Sequence, residues 1–239
     1  MIGPMRGAAF FIILAIAAPT GAMAQTRRDL VNAAHAFDDS ALRLDDNNAK
    51  PANVRKWTSP IKVAFTNPGR GSSLVEPARR ALRQIAEQAN IAVVDVEPND
   101  VSVNFTVTFD ENESAQGKRN CFTRIWWHGN SAVYRGELKI NPASSNLDNC
   151  IIHETLHAFG FISHPHSADS VLSYVYKRPT LTPLDVNLIR TLYDPRLTLG
   201  MKPAPASQLA CRLLGERMKA AQADIDAVCA DRKGPVPAT

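Results

Sequence analysis

Apolar and polar positions begin to alternate near Trp57 and continue through Pro60-Ile61-Lys62-Val63-Ala64-Phe65, the period of a half-buried strand, closed by the turn residues Asn67-Pro68-Gly69. The period then changes. From Leu74 to Ala89 apolar side chains recur at Val75, Ala78, Ala81, Leu82, Ile85 and Ala86 with arginines between them, which predicts an amphipathic helix with Arg79, Arg80 and Arg83 on its solvated face. Ile91–Val96 and Val101–Phe109 read as two further strands, and Cys121–Trp127 with Ala132–Ile140 as a hairpin across His128-Gly129-Asn130-Ser131. A helix follows from about Leu147 to Phe159, with Ser145 or Asn146 as its cap and Gly160 as its stop. Thr182-Pro183-Leu184-Asp185 opens another, with a capping hydroxyl, proline in the first turn and an acid three residues beyond the cap; Leu184, Leu188, Ile189 and Leu192 form its buried stripe. Gln208–Ala230 is helical in pattern, after a proline-containing linker at Lys202–Ala206. The order strand, helix, four strands, helix predicts an α+β fold.

The chain ends read differently. Arg6 is followed by an apolar run from Ala8 to Ala18; Pro19 and Gly21 break it, and Ala22-Met23-Ala24 offers a small-x-small cleavage site. This is the build of a secretory signal peptide over residues 1–24, removed after Ala24, and the run is short for the alternative of an uncleaved membrane anchor. The mature protein is then expected in the periplasm or outside the cell, with no membrane insertion. Residues 25–53 are polar and rich in Asp, Asn and Ala. They fit a short helix around Asp29–Phe37 with a linker, or equally a removable pro-segment. In that second case Asp38-Asp39 and Asp45-Asp46 would be candidates to latch a cleft, with an acidic linker as the simpler account. A domain over 54–200 and a helical extension over 201–239 complete the expected organisation.

Export changes the reading of the cysteines. All four (Cys121, Cys150, Cys211 and Cys229) fall in the mature part, and an even count in an oxidising compartment favours two disulfides. Pairing sequence neighbours, Cys121 with Cys150 and Cys211 with Cys229, is the most economical choice. On one straight helix the second pair would stand about 27 Å apart, so that bridge requires a helical hairpin. The formal charge of +4 comes with no dense Lys/Arg block or aromatic-interleaved basic stripe, which argues against nucleic acid as a partner.

The chemistry concentrates in residues 153–164, His-Glu-Thr-Leu-His-Ala-Phe-Gly-Phe-Ile-Ser-His. Positions i and i+4 of a helix share one face, so His153 and His157 can reach one metal ion while Glu154 projects beside them toward a bound water. His-Glu-x-x-His is the zinc-hydrolase signature, and a third imidazole follows at His164, with His166 as the alternative. Three neutral imidazoles leave a fourth tetrahedral position for water, whose pKa zinc lowers to roughly 7, and Glu154 is placed to take its proton. His35 and His128 are isolated, and Trp126-Trp127 reads as one indole on each side of a strand.

His153-Glu154-Thr155-Leu156-His157-Ala158-Phe159-Gly160 with His164, followed by Ser170-Val171-Leu172-Ser173-Tyr174, resembles the metzincin clan of zinc endopeptidases and its Met-turn, over roughly Val54 to Tyr193. The resemblance implies a twisted mixed β-sheet with an active-site helix and a C-terminal helix. It also implies zinc held by His153, His157 and His164, Glu154 as general base, and Tyr174 stabilising the oxyanion or resting on the metal; an ordinary core tyrosine is the plain alternative for Tyr174. Two departures stand out. Ser163 occupies the clan's third-histidine position, with His164 one residue later, and Leu172 replaces the turn's methionine, a volume-conserving change. Tyr193-Asp194-Pro195-Arg196-Leu197 with Gly200-Met201 is also similar to an uncharacterised family of secreted bacterial proteins.

The activity so implied is an exported, monomeric zinc endopeptidase acting on a peptide or protein substrate, with a cell-wall peptide as a variant. The alternative is a catalytically silent relative that binds a partner in the cell envelope. Substrate is expected to add as a strand along Glu137-Leu138-Lys139-Ile140-Asn141, just ahead of the metal helix, the alternative being an ordinary interior strand.

Overall fold

Each alternating run becomes a strand of one sheet. The computed structural model describes residues 20–44, 50–111, 120–166 and 168–235. Most of the expected leader, Asp45-Asp46 and the last four residues lie outside these. The described strands are β1 (Lys56–Trp57), β2 (Ile61–Thr66), β3 (Val93–Asp95), β4 (Phe105–Phe109), β5 (Cys121–Trp127) and β6 (Ala132–Ile140). The described α-helices are α1 (Thr20–Ala41), α2 (Val75–Ala89), α3 (Leu147–Ala158), α4 (Pro183–Leu192), α5 (Pro203–Arg217) and α6 (Gln222–Cys229).

The fold is α+β with a mostly parallel sheet. β6 pairs with β1 through Val133 and with β4 from Gly136 to Ile140, both parallel, and β4 continues through β2 to β3. On its other side β6 pairs antiparallel with β5, its hairpin partner, and β5 is an edge among the described strands. Phe105, Val107, Leu138 and Ile140 point from one face into the core that Leu82, Ile85, Ile151 and Leu156 complete from α2 and α3. Gly136 is required there, because a Cβ would overlap the Phe105 ring. Trp57 is fully buried, meets Phe105 edge-on at 6.4 Å and donates its indole N–H to the Ala158 carbonyl at 2.8 Å, fastening β1 to the end of α3. Beside it Lys56 donates to the carbonyls of Leu192, Asp194 and Leu197, satisfying the C-terminal end of α4.

Several expectations change. Strand β4 starts at Phe105 instead of Val101, since the Asp100 carboxylate accepts from both the amide and the hydroxyl of Ser102 and holds a turn there. The supposed linker Lys202–Ala206 is the first turn of α5, with Pro203 at a position where its missing N–H costs nothing. Residues 25–41 are part of a 22-residue helix, not a short one. Leu30, Ala33, Phe37 and Leu42 are fully or almost fully buried, and α1 packs against α5 and α6. Asp38 is no free latch: buried in that interface, it accepts from Ser207 at 2.8 Å and from Arg232 at 2.6 Å.

Both disulfides pair as the spacing predicts. Cys121–Cys150 joins β5 to α3 across 5.8 Å between Cα atoms, and Cys211–Cys229 joins α5 to α6 across 5.6 Å, in the helical hairpin that bridge requires. Among the described residues no helix is long and apolar enough to cross a membrane.

Candidate metal centre and cleft

Helix α3 has two unlike faces. Ile151, Ile152, Thr155, Leu156 and Ala158 are buried, while His153, Glu154 and His157 line a cleft of about 860 Å³. Asn146 starts the helix from a left-handed conformation, and its side chain makes no capping bond. Gly160, at φ 105°, ends it; a Cβ there would strike the carbonyl of Arg55. The chain then turns back along α1, where the Ser163 amide donates to the Ser40 carbonyl at 3.2 Å. That tether presents His164 to α3. His164, not His166, joins the pair. His166 faces α1 instead: burial pushes the Asp39 carboxyl up, and Arg43 and His166 pull it down.

The three imidazoles converge through their Nε2 atoms. His153 and His164 stand 3.0 Å apart, His157 and His164 3.1 Å, and His153 and His157 3.2 Å. His153 Nδ1 donates to the Val171 carbonyl at 2.9 Å, and His157 Nδ1 donates to the Phe161 carbonyl. With their protons on Nδ1, these two rings turn Nε2 lone pairs toward one another and toward His164. Lone pairs at such distances repel unless a cation sits between them. A point about 1 Å off the plane of the three nitrogens lies about 2.0–2.1 Å from each, the zinc–imidazole bond length. The donor set fits a metal ion of that kind, and His153, His157 and His164 can hold one.

Charge around the triad is set mainly by burial. Burial, with repulsion from His157, lowers the His153 pKa to about 4, so the ring is the neutral ligand form at physiological pH. The same desolvation raises the Glu154 carboxyl above its ordinary value, against the pull of His153, Thr123 and His164. Thr123, on β5, donates its hydroxyl to the Glu154 carbonyl at 2.8 Å, and with the Cys121–Cys150 bridge it fixes the edge strand beside the acid.

The segment after His164 forms the floor and one lip. Leu172 is buried, whereas Tyr174 is 67% exposed with its ring stacked on His164 at a centroid distance of 4.0 Å. Asp185 pins this turn. Besides closing the capping box with Thr182, its buried carboxylate accepts from the Ser170 hydroxyl at 2.5 Å and the Val171 amide at 3.1 Å. Trp127 also lines the cleft, with the buried guanidinium of Arg55 over its ring at 3.8 Å.

Of the two readings of the strand ahead of α3, the interior one holds. Glu137–Ile140 is interior, paired with β5 on one side and β4 on the other, and has no free edge to offer. Among the described strands, the edge along the cleft belongs to β5. The capping box accounts for Asp185 in the sequence, but nothing there signals its contacts with Ser170 and Val171. The parts played by Thr123 and Ser40 have no sequence signal at all.

The fold and the site together define an α+β protein with a three-histidine cluster able to hold a metal ion. A family model described as a protein of unknown function (DUF2927) matches residues 32–210, from α1 through the cleft and into α5, and the chain belongs to that family. No curated protein matches the chain.

Proposed function

We propose that this protein is an exported zinc-dependent endopeptidase of metzincin-like build, acting as a monomer on peptide or protein substrates. The observation that carries the reading is the convergence of three imidazole Nε2 atoms within 3.2 Å, with Glu154 lining the same cleft. Zinc held there supplies Lewis acidity and lowers the pKa of water to roughly 7. The chain's own groups do the rest. Glu154, its basicity raised by burial, accepts the proton of the attacking water and returns it to the leaving amine. Tyr174, on the cleft lip against His164, donates a hydrogen bond to the oxyanion. A peptide adds along β5, which among the described strands pairs with β6 alone and borders the site. Two disulfides agree with an oxidising compartment, and hence with cleavage of a leader after Ala24 and release to the periplasm or beyond.

A second reading rests on Leu172 in the turn and treats the protein as a silent relative that binds a partner in the cell envelope. The deciding experiment measures zinc per chain and peptide cleavage for the wild type and for Glu154→Gln. About one zinc in both, with cleavage at least roughly a hundredfold slower in the variant, supports the peptidase. Undiminished cleavage in Glu154→Gln sinks that mechanism, and no cleavage by a zinc-loaded wild type favours the binding protein. Cell-wall peptides belong in the same substrate panel.

A further inference from the structure

A peptide laid along β5 points its side chains alternately to the two faces of the sheet. On the α3 face it meets Thr123 and Ile125. On the other it meets Phe122, Arg124 and Trp126, which stand across from Lys139, Glu137 and Arg135 of β6. The Arg124 guanidinium lies between two rings, 5.4 Å from Phe122 and 5.8 Å from Trp126, and Arg135 covers the same indole at 5.0 Å. These contacts hold both cations along the strand without neutralising them. Among the described residues neither arginine has a carboxylate at ion-pair distance, and Glu137 approaches Lys139 instead, at 3.7 Å.

The cleft itself has the same sign. Glu154 is the one acidic residue among its described lining residues, against Arg124 and Lys177, and Arg55 adds a cation behind Trp127. We infer that the cleft selects acidic peptides, whose Asp or Glu side chains, spaced two apart, rise over the Phe122–Arg124–Trp126 face of β5. The inference rests on the reading of the cleft as a peptide site and names the substrate class for it. Opposite charges directly across neighbouring strands favour pairing and like charges oppose it, so Arg124 acts both for the acidic peptide and against a basic one.

The test is binding to the zinc-loaded Glu154→Gln protein, read by fluorescence polarisation and so independent of turnover. Three labelled ten-residue peptides share an apolar frame and carry Asp, Asn or Lys at alternate positions. The Asp peptide is expected to bind about tenfold tighter than the Asn peptide at low salt, with the advantage shrinking as salt rises. Arg124→Glu, added to that background, removes the advantage and favours the Lys peptide. Arg124→Gln, which keeps most of the stem, removes it without reversal. Arg80→Glu, the same charge change on the exposed face of α2, leaves it intact. Equal binding of Asp and Asn peptides, or an Asp advantage that survives both Arg124 variants, overturns the inference and spares the peptide site. Failure of all three peptides to bind overturns the peptide site as well.

Discussion

Asp185 and His153 are joined through a single residue: the Asp185 carboxylate holds the Val171 amide at 3.1 Å, and the Val171 carbonyl takes the His153 Nδ1–H at 2.9 Å. The acid of a helix capping box thereby fixes the ring orientation of a prospective metal ligand. Partners outside the ligand set commonly contribute 10–100-fold to metal affinity. Asp185→Ala is expected to weaken zinc binding by about tenfold and to destabilise the fold by about 1–3 kcal/mol, because Ser170 and Val171 lose a buried acceptor. A competition titration and a denaturant melt check the two parts. Stability lost with affinity unchanged would make the contact architectural only.

The two neighbouring histidines separate cleanly. His164→Ala removes one of three converging nitrogens, and zinc affinity should fall by more than the roughly 10–100-fold typical of an outer-shell partner. His166→Ala should leave zinc content unchanged. Equilibrium dialysis of both variants is sufficient, and equal retention of zinc by both would remove His164 from the site.

A metal held by the triad would also stabilise the fold. If zinc binds the folded triad and not the unfolded chain, free zinc at a hundred times its dissociation constant adds about 2.7 kcal/mol of stability. A chelator should then lower the melting temperature, and restored zinc should recover it. A melting curve indifferent to both would mean that the three nitrogens do not hold the ion.

Reduction should loosen the cleft before the rest. Cys121–Cys150 closes a sequence separation of 29 residues and ties edge strand to helix, so Cys121→Ser with Cys150→Ser is expected to cost about 3–4 kcal/mol. Hydrogen exchange should show β5 losing protection ahead of β2 and β4. Uniform loss across the sheet would contradict a local role for the bridge.

Phe37→Ala tests whether the N-terminal helix is dispensable. The side chain is fully buried, and its truncation should cost about 3–5 kcal/mol, measured by urea unfolding. A loss under about 1 kcal/mol would restore the reading of this segment as a removable pro-segment.

Legibility followed periodicity. The β5–β6 hairpin and the capping box at Thr182 were plain because each is a local pattern whose residues contact one another. The first two histidines of the cluster were plain for the same reason. The third was visible as a residue but not as a position, since Ser40, far upstream, fixes the loop that carries it. Strand order was the least visible feature. β6 precedes α3 in the chain and suggests itself as the cleft edge, yet the hairpin folds β5 outside it, and sequence adjacency does not report sheet adjacency. Helix α1 is hard to see in the sequence because alanines supply much of its buried face, and small side chains raise hydropathy little even where packing is tight.

The bond between Ser163 and Ser40 sets an order of assembly. Helix α1 precedes the other described elements in the chain, but the partners that cover its apolar face, α5 and α6, follow them. Until they arrive, the anchor for the loop carrying His164 is not in place, and the three nitrogens have no reason to meet. Convergence of the triad is therefore deferred until α5 and α6 have been made, and a polypeptide cut short before them lacks the support that brings His164 to its partners.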